Sequence, residues 1–327
     1  LVSADVSQRL VTLIEQYNAG EEIDLFASVR AEVDRFEEAL NRKVKSPEVK
    51  DSIEDLLAAE ENDTGFHWRM RCLDRHIKPL RPGDFGVIAA RPDKGKTSLC
   101  ASELTHFATQ LAGLFPGEYR PLLWLNNEGP GRNIVTRCYQ AALGATMEEL
   151  VRKSKAGTLR AEYTEAMGGD NALRVFDIHS MWNYEVEDLI RLHNPGLVLF
   201  DMVDNIKFGG DVNNNGQRTD QLLEAMYQWA RVIAVKHDCA VLATSQISAD
   251  GDGMQWPTLS MLKDSKTGKQ GAADVIITMG TVNDPLMAAS RYMGTTKNKR
   301  KRSGVPGSPM MEVIADLDRC RFVEMGE

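Results

Sequence analysis

Residues 1–62 carry apolar side chains at three- and four-residue spacing, which is the period of amphipathic helices. Three segments show it: VSQRLVTLIEQY, DLFASVRAEVDRFEEALNRK and SPEVKDSIEDLLAAE. Ser46 and Pro47 open the third segment as a predicted N-cap and first helical residue. The pattern predicts a small helical N-terminal region. It serves either as a small domain or linker, or as a helix that docks on a neighbouring subunit.

From about residue 83, short apolar runs alternate with helical stretches and polar loops. The runs predicted to be buried strands are FGVIAA, PLLWLN, LRVFDI, LVLFDMV, CAVLATS, DVIITMG and MMEVIADL. Buried strands that alternate with helices are typical of an α/β domain with a mostly parallel central sheet. Two long polar segments, 207–221 and 248–271, interrupt this pattern, and loops of that length are usually functional. We therefore predict an α/β domain over residues 63–327.

Composition narrows the class of protein. The chain is 43% hydrophobic and 26% charged, as ordinary globular proteins are, and no apolar run reaches the ~18–20 residues of a membrane helix. A net charge of −8 argues against a wholly basic nucleic-acid-binding surface but leaves room for a local basic channel. The five scattered cysteines show no paired spacing and favour a reducing compartment, so we expect a cytoplasmic protein. The chain starts without Met, which favours a fragment of a longer protein.

One stretch, VIAARPDKGKTSLC, has the form of a phosphate-binding loop between a strand and a helix that we expect to begin at Thr97. Loop N–H groups and the helix N-terminus would favour anions, Lys96 would reach the β- and γ-phosphates, and the Thr97 hydroxyl would bind Mg²⁺. Ala90 stands where this motif usually begins with glycine, at a position with only a modest backbone demand. The predicted nucleotide-binding residues are Ala90, Arg91, Pro92, Asp93, Lys94, Gly95, Lys96, Thr97 and Ser98.

Three further predicted strands end in polar side chains. Asp201, at the end of LVLFD, would hold Mg²⁺ through water beside the phosphate loop. Glu128 follows LLWLN, a strand that we expect next to the phosphate-loop strand, as in RecA-type sheets, and it would act as the general base on the attacking water. Gln246 ends AVLATSQ and would sense the γ-phosphate. Together these residues predict an NTP hydrolase.

These elements, in this order, resemble replicative hexameric helicases of the DnaB type, including those of phages. The family's phosphate loop also has the form AARPxxGKT, with alanine first. LSMLKDSKTGKQGAADVIITM resembles the family's DNA-contacting segment, and KNKRKRSGVPG resembles its basic hairpin. The resemblance runs from about residue 64 to the C-terminus. It implies a RecA-like P-loop ATPase that forms a homo-hexameric ring, hydrolyses ATP or another NTP with Mg²⁺, translocates on single-stranded DNA and unwinds duplex. It also implies a primase or a helicase loader as a partner, and the cytoplasm of a bacterium or a phage-infected cell as the location.

The resemblance also implies roles for basic residues. Arg302 matches the arginine finger that reaches the γ-phosphate of the adjacent subunit, and Arg300 matches a second basic residue of similar role. The register of this basic run also allows Lys301 or Lys299. Contacts with the backbone of single-stranded DNA are implied for a loop and its basic flank. Those residues are Lys263, Asp264, Lys266 and Lys269.

Two other classes of protein carry the same motifs. A RecA- or Rad51-like recombinase would form a filament and exchange strands, whereas the late basic hairpin favours the helicase. A regulatory or assembly ATPase, of the circadian-clock or loader type, would act on a protein instead of DNA. An ATPase that nucleic acid does not stimulate would indicate that last class.

Overall fold

A computed structural model describes residues 2–40, 52–208, 219–262 and 266–324. Its centre is a nine-stranded sheet in the order β3-β2-β4-β5-β1-β6-β7-β8-β9. The strands are β1 (Phe85–Ala90), β2 (Leu122–Asn126), β3 (Leu173–Asp177), β4 (Leu197–Asp201), β5 (Ala240–Gln246), β6 (Val275–Gly280), β7 (Ser290–Asn298), β8 (Met311–Asp316) and β9 (Arg321–Glu324). Neighbours are parallel from β3 through β6 and antiparallel from β6 through β9. The predicted α/β class with a mostly parallel sheet is confirmed.

Twelve helices accompany the sheet within the described ranges. They are α1 (Val2–Asn18), α2 (Leu25–Leu40), α3 (Ile53–Glu61), α4 (Arg71–His76), α5 (Lys96–Ala108), α6 (Leu111–Leu114), α7 (Gly131–Leu143), α8 (Met147–Ala156), α9 (Leu159–Ala166), α10 (Asn183–His193), α11 (Thr219–Lys236) and α12 (Lys266–Ala272). The second long polar segment is thus not wholly loop, because it contains α12 and two 3-10 turns.

The central strands read as unbroken apolar runs because both faces of the sheet are covered. On β1, Val87 and Ala89 pack into the core that includes α11, whereas Ile88 and Ala90 pack into the core that includes α5. Successive side chains of a strand point to opposite faces, so a strand with helices on both sides has no solvent-facing position. This burial explains why FGVIAA lacks the alternation of an exposed sheet.

Helix α5 is tied to the segment before α4 through a buried carboxylate. Glu103 accepts hydrogen bonds from the backbone N–H groups of Arg69, at 2.6 Å, and Met70, at 3.3 Å. Burial raises the pKa of Glu103 to about 7, against the lowering effect of the Arg69 N–H. The segment leading into the sheet is therefore fixed to the helix that follows the phosphate loop.

The structure corrects two sequence-based expectations about strands. The strand before Glu128, β2, pairs with β3 and β4 and not with the phosphate-loop strand β1, whose neighbours are β5 and β6. Strands β7 and β9 were not predicted. The first, SRYMGTTKN, is polar and half-buried over its second half, and the second has only four residues, so neither shows a continuous apolar run.

The N-terminal region is helical in its described part, as predicted. Helices α1 and α2 pack on each other, and Arg30 of α2 donates to Asp188 of α10 at 2.6 Å. Helix α3 starts after Ser52, whose side chain accepts from the Asp55 N–H at 3.0 Å. The predicted cap at Ser46 and Pro47 lies outside the described residues. A domain boundary at residues 62 and 63 stays a prediction.

Candidate active site

The loop from residue 91 to 95 connects β1 to α5 as a phosphate-binding loop does. Gly95 has φ of +99°, a backbone conformation that favours glycine, and a Cβ there would also lie in tight contact with Leu317 Cδ2, at 3.0 Å. Ala90 is different, because it is a paired residue of β1, opposite Gln246 and Met279. A strand residue makes no demand for positive φ, which explains why alanine is accepted there. The helix begins at Lys96, one residue before the predicted start.

Two arginines hold this loop in place. Arg291 of β7 donates from Nε to the Lys94 carbonyl oxygen at 2.7 Å. Arg91 donates to the Ile247 carbonyl oxygen at 2.9 Å, just beyond β5. Burial lowers the pKa of Arg291. Sequence reasoning missed Arg291 because its strand went unpredicted and no motif marks it.

The loop opens onto a cavity of about 430 Å³ at the carboxyl ends of the parallel strands. Cofactor and substrate sites of open α/β sheets lie at this edge. Its walls combine phosphate-loop residues with the ends of β2 and β4 and with one face of α7. The lining residues are Arg91, Pro92, Asp93, Gly95, Lys96, Thr97, Ser98, Asn126, Glu128, Gly129, Pro130, Asn133, Ile134, Arg137, Asp201 and Leu317.

Three of the charged residues that line the cavity, Lys96, Glu128 and Asp201, belong to separate elements. Lys96 is only 8% exposed, and its Nζ lies 3.9 Å from Glu128 Oε2. Asp201 is buried, and its Oδ1 accepts a hydrogen bond from Thr244 Oγ1 at 2.7 Å. The fold thus brings together one cation and two carboxylates that are far apart in sequence, as hydrolysis of a phosphoanhydride requires.

Met202 links the lysine to the residue predicted to sense phosphate. Its sulfur lies 3.6 Å from Lys96 Nζ and 3.7 Å from Gln246 Nε2. Gln246 does not itself line the cavity, since Met202 separates its amide from the lysine. The role of Gln246 as a sensor of the γ-phosphate stays a prediction.

The end of β2 is fixed by hydrogen bonds that position Glu128. The Asn126 amide donates to Asp177 Oδ1 at 2.5 Å and also to the Gly129 carbonyl oxygen. The Asn127 N–H donates to the Asp201 carbonyl oxygen at 2.5 Å. Glu128 therefore reaches the cavity from a turn tied to both neighbouring strands, although β2 is not adjacent to β1.

The cavity has oxygen donors suited to a magnesium ion that arrives with a nucleotide. The Thr97 hydroxyl and the Asp201 carboxylate both face it, and Mg²⁺ prefers a few protein oxygens together with substrate phosphates. Within the described ranges no group of three or more His, Cys, Asp or Glu forms a metal cage. The Thr97 and Asp201 oxygens therefore fit a magnesium ion whose remaining ligands are phosphate oxygens and water.

Arg137 is a cavity residue that sequence reasoning missed. It lies on α7, nine residues after Glu128, and lines the cavity together with Asn133 and Ile134 of the same helix. A cation at this wall adds to the positive field that would hold phosphates. The available signal was its spacing from Asn133, which places both residues on one face of α7.

The basic hairpin connects β7 to β8, and its first arginines bind their own chain. Arg302 Nη1 lies 2.6 Å from Asp63 Oδ2, and its Nε donates to the Asp74 carbonyl oxygen at 2.6 Å. Arg300 Nε lies 3.2 Å from Asp84 Oδ2. Neither arginine belongs to the lining of the described cavity. An action of Arg302 on a neighbouring subunit stays a prediction.

The predicted DNA contacts divide into two groups. Lys263 and Asp264 lie outside the described residues, as does the side chain of Lys266. Lys269 is fully buried, and its Nζ donates to Asp204 and Ser245. The expectation that Lys269 contributes a positive DNA-facing surface is therefore wrong for this conformation, because a buried, paired ammonium cannot reach a phosphate in solvent.

Comparison with known proteins places the chain in a family. A model described as an AAA domain matches residues 50–252, more than half of the chain. The chain belongs to the AAA domain family. The chain is also similar to the replicative DNA helicase DnaB of Mycoplasma genitalium, with 26% identity over 272 residues. That match covers 80% of this chain but 53% of the relative, so the chain spans about half of its length.

Comparison with solved structures supports the predicted α/β fold. One of them, an isolated ATPase domain, matches with a TM-score of 0.66 and 18% identity, covering 85% of this AAA-domain chain and 100% of that one. A DnaB-like replicative helicase, solved in a study of its interactions with primase, matches with a TM-score of 0.66 and 15% identity. The match covers 97% of this chain and 76% of the helicase chain. The predicted RecA-like fold and the resemblance to DnaB-type helicases are confirmed.

Among the helices in the described ranges, none is both long and apolar enough to span a membrane. The cytoplasmic location expected from the cysteines stays a prediction.

Proposed function

We propose that this chain is the motor of a replicative DNA helicase, which hydrolyses ATP and moves along single-stranded DNA as a homo-hexameric ring. The observation that carries the proposal is the cavity in which Lys96, Glu128 and Asp201 meet at the carboxyl edge of the sheet. The DnaB relative and the DnaB-like helicase structure favour DNA over a protein client.

Within one subunit, each residue has a chemical task. Lys96 and the loop N–H groups bind the β- and γ-phosphates and stabilise charge that develops on them. Glu128, which is half-exposed at the cavity mouth, orients a water molecule and accepts its proton. Thr97 and Asp201 would hold Mg²⁺, which neutralises phosphate charge. A γ-phosphate bound to Lys96 would take the place of Glu128 beside the ammonium, so that the carboxylate is left to face the water.

Arg302 would complete the site from the neighbouring subunit. For this to happen, its guanidinium must exchange Asp63 and Asp74 of its own chain for the γ-phosphate next door. The Arg302 side chain is about a quarter exposed, so the exchange would break two partly buried ion pairs that the new contact with phosphate must replace. Hydrolysis would then depend on ring assembly.

Helicase activity is tested by measuring ATP-dependent unwinding of a forked DNA duplex. Assembly is tested by electron microscopy of the protein with single-stranded DNA and a non-hydrolysable nucleotide. We expect rings and ATP-dependent strand separation. Filaments that form joint molecules without unwinding would contradict the helicase and favour the recombinase. An ATPase that single-stranded DNA leaves unchanged at low salt would favour a protein client.

The subunit interface is tested with Arg302→Ala. We expect turnover to fall by about 10³-fold or more, as for other arginine fingers, while nucleotide binding is largely kept. Mixing this variant with Glu128→Ala subunits should restore part of the activity, because some interfaces then combine an intact Glu128 with an intact Arg302. Absence of rescue at every mixing ratio would show that Arg302 does not act in trans.

A further inference from the structure

Lys269 of α12 is a fully buried cation that the hydrolytic site does not use. Its Nζ lies 3.2 Å from Asp204 Oδ2 and 3.0 Å from Ser245 Oγ, and 5.0 Å from the centre of the Tyr227 ring. Asp204 follows β4 by three residues and Ser245 precedes the last residue of β5. The lysine thus joins a short helix to the ends of two neighbouring strands, of which β4 supplies the cavity residue Asp201.

Burial of this charge is an unusual way to anchor a helix. Desolvation of a buried ammonium and carboxylate costs several kcal/mol per ion, and an apolar pair of similar volume often gives equal or greater stability. One buried ammonium nevertheless binds Asp204 and Ser245 at the same time. A shift of either residue would therefore displace Lys269 or break a buried charge-assisted hydrogen bond, which is costly.

The same two strand ends are connected on their cavity side. Thr244 Oγ1 donates to Asp201 Oδ1, and the Gln246 amide lies against Met202. Residues 201–204 and 244–246 are thus connected at three points: Asp201 with Thr244, Met202 with Gln246, and Asp204 with Ser245 through Lys269. The first includes the cavity residue Asp201, and the third holds α12. In sequence, α12 begins just after Lys263 and Asp264, the predicted DNA contacts.

We propose that Lys269 is a positioning residue that couples the nucleotide cavity to single-stranded DNA binding by holding α12 to Asp204 and Ser245. A shift of either strand end on nucleotide binding is passed to α12 through the ion pair, and it changes the affinity for DNA. This inference rests on the proposed helicase function. It differs from the expected direct contact of Lys269 with DNA.

The test uses the double variant Lys269→Met, Asp204→Asn, which removes both charges so that neither is left buried alone. Fluorescence anisotropy measures the Kd for an oligothymidine single strand, first with a non-hydrolysable ATP analogue and then with ADP. For the wild type we expect the two Kd values to differ by about tenfold, within the usual range of allosteric coupling, and for the double variant by less than about twofold. A structural role alone would weaken both Kd values equally and keep their ratio.

A matched lysine on the neighbouring helix serves as the control. Lys236→Met on α11 removes an ion pair with Glu187 of α10, at 2.7 Å. It should keep the wild-type ratio. If the double variant also keeps it while its thermal midpoint shows a folded protein, Lys269 does not couple the sites. If the wild type itself binds no single-stranded DNA, the proposed function fails, and the coupling fails with it.

Discussion

Two buried lysines show how the same side chain takes opposite roles in this AAA domain. Lys96 is 8% exposed and faces an open cavity with Glu128 at 3.9 Å, a distance too long for a hydrogen bond. Lys269 is fully buried and hydrogen-bonded to Asp204 and Ser245. The first cation keeps donor capacity for a ligand, whereas the second uses its donors within the protein.

The difference shows that a sequence motif does not by itself predict whether its lysine is exposed to substrate. Both lysines stand in segments that resemble functional motifs of the helicase family, yet only the first is placed where solvent and substrate reach it. Replacing the site lysine is expected to lower ATP turnover strongly and the free energy of unfolding little. Replacing the buried, paired lysine is expected to lower the free energy of unfolding strongly.

Among the variants that test the contrast between the two lysines, Lys96→Ala should have the largest effect. Loss of this cation removes stabilisation of the developing phosphate charge, and we expect ATP turnover to fall by about 10²- to 10³-fold. A coupled phosphate-release assay measures it. Lys153→Ala, which breaks a surface ion pair with Glu162, is the control and should stay near wild type. A decrease in turnover of less than tenfold for Lys96→Ala would refute the assignment.

The loss of stability should be larger for the Lys269 variant than for the Lys96 variant. Lys269→Met leaves the Asp204 carboxylate buried without its partner, so we expect the free energy of unfolding to fall by about 3–5 kcal/mol. Lys96→Met removes a cation that faces a cavity, and the change should stay within about 1 kcal/mol. Urea unfolding measures both. Equal losses would mean that the two lysines are not different in kind.

Glu103 extends the comparison to a buried carboxylate held by backbone N–H groups. Its pKa is raised to about 7 in the folded chain, above its usual value near 4.5. The folded state therefore keeps a proton that the unfolded state loses, so this group lowers stability as pH rises from about 4.5 to about 7. Glu103→Gln should flatten that part of the stability profile. Urea midpoints at about pH 5 and about pH 7.5 measure it, and an unchanged slope would count against the raised pKa.

The smallest effect is expected at the first position of the phosphate loop. Ala90 lies in β1 with ordinary strand geometry, so Ala90→Gly gains nothing for the loop and costs about 0.5–1 kcal/mol in chain entropy. ATP affinity, measured by calorimetry, should stay within twofold of wild type. Gly95→Ala is the contrasting variant, because its φ of +99° and the nearby Leu317 exclude a Cβ. A large gain in ATP affinity for Ala90→Gly would show that alanine restricts the loop.

Much of the fold was readable from local pattern. The seven apolar runs predicted as strands are all strands, because a sheet covered on both faces makes each central strand continuously apolar. The phosphate loop and the strand ends at Asp201 and Glu128 were also readable, since parallel strands deliver their last residues to one edge. Strands β7 and β9 escaped because they are antiparallel, partly exposed and, for β9, short.

Sequence alone determined where a nucleotide site would be built, since the period of apolar residues and the glycine before Lys96 are local properties. Only the tertiary structure decided which strands are neighbours and which charges meet. It separated β2 from β1, for example. It placed Arg137 and Arg291 around the cavity, paired Arg302 with Asp63 and Asp74, and buried Lys269. The physical reason is that exposure and pairing of a charge depend on residues distant in the chain, which no local pattern specifies.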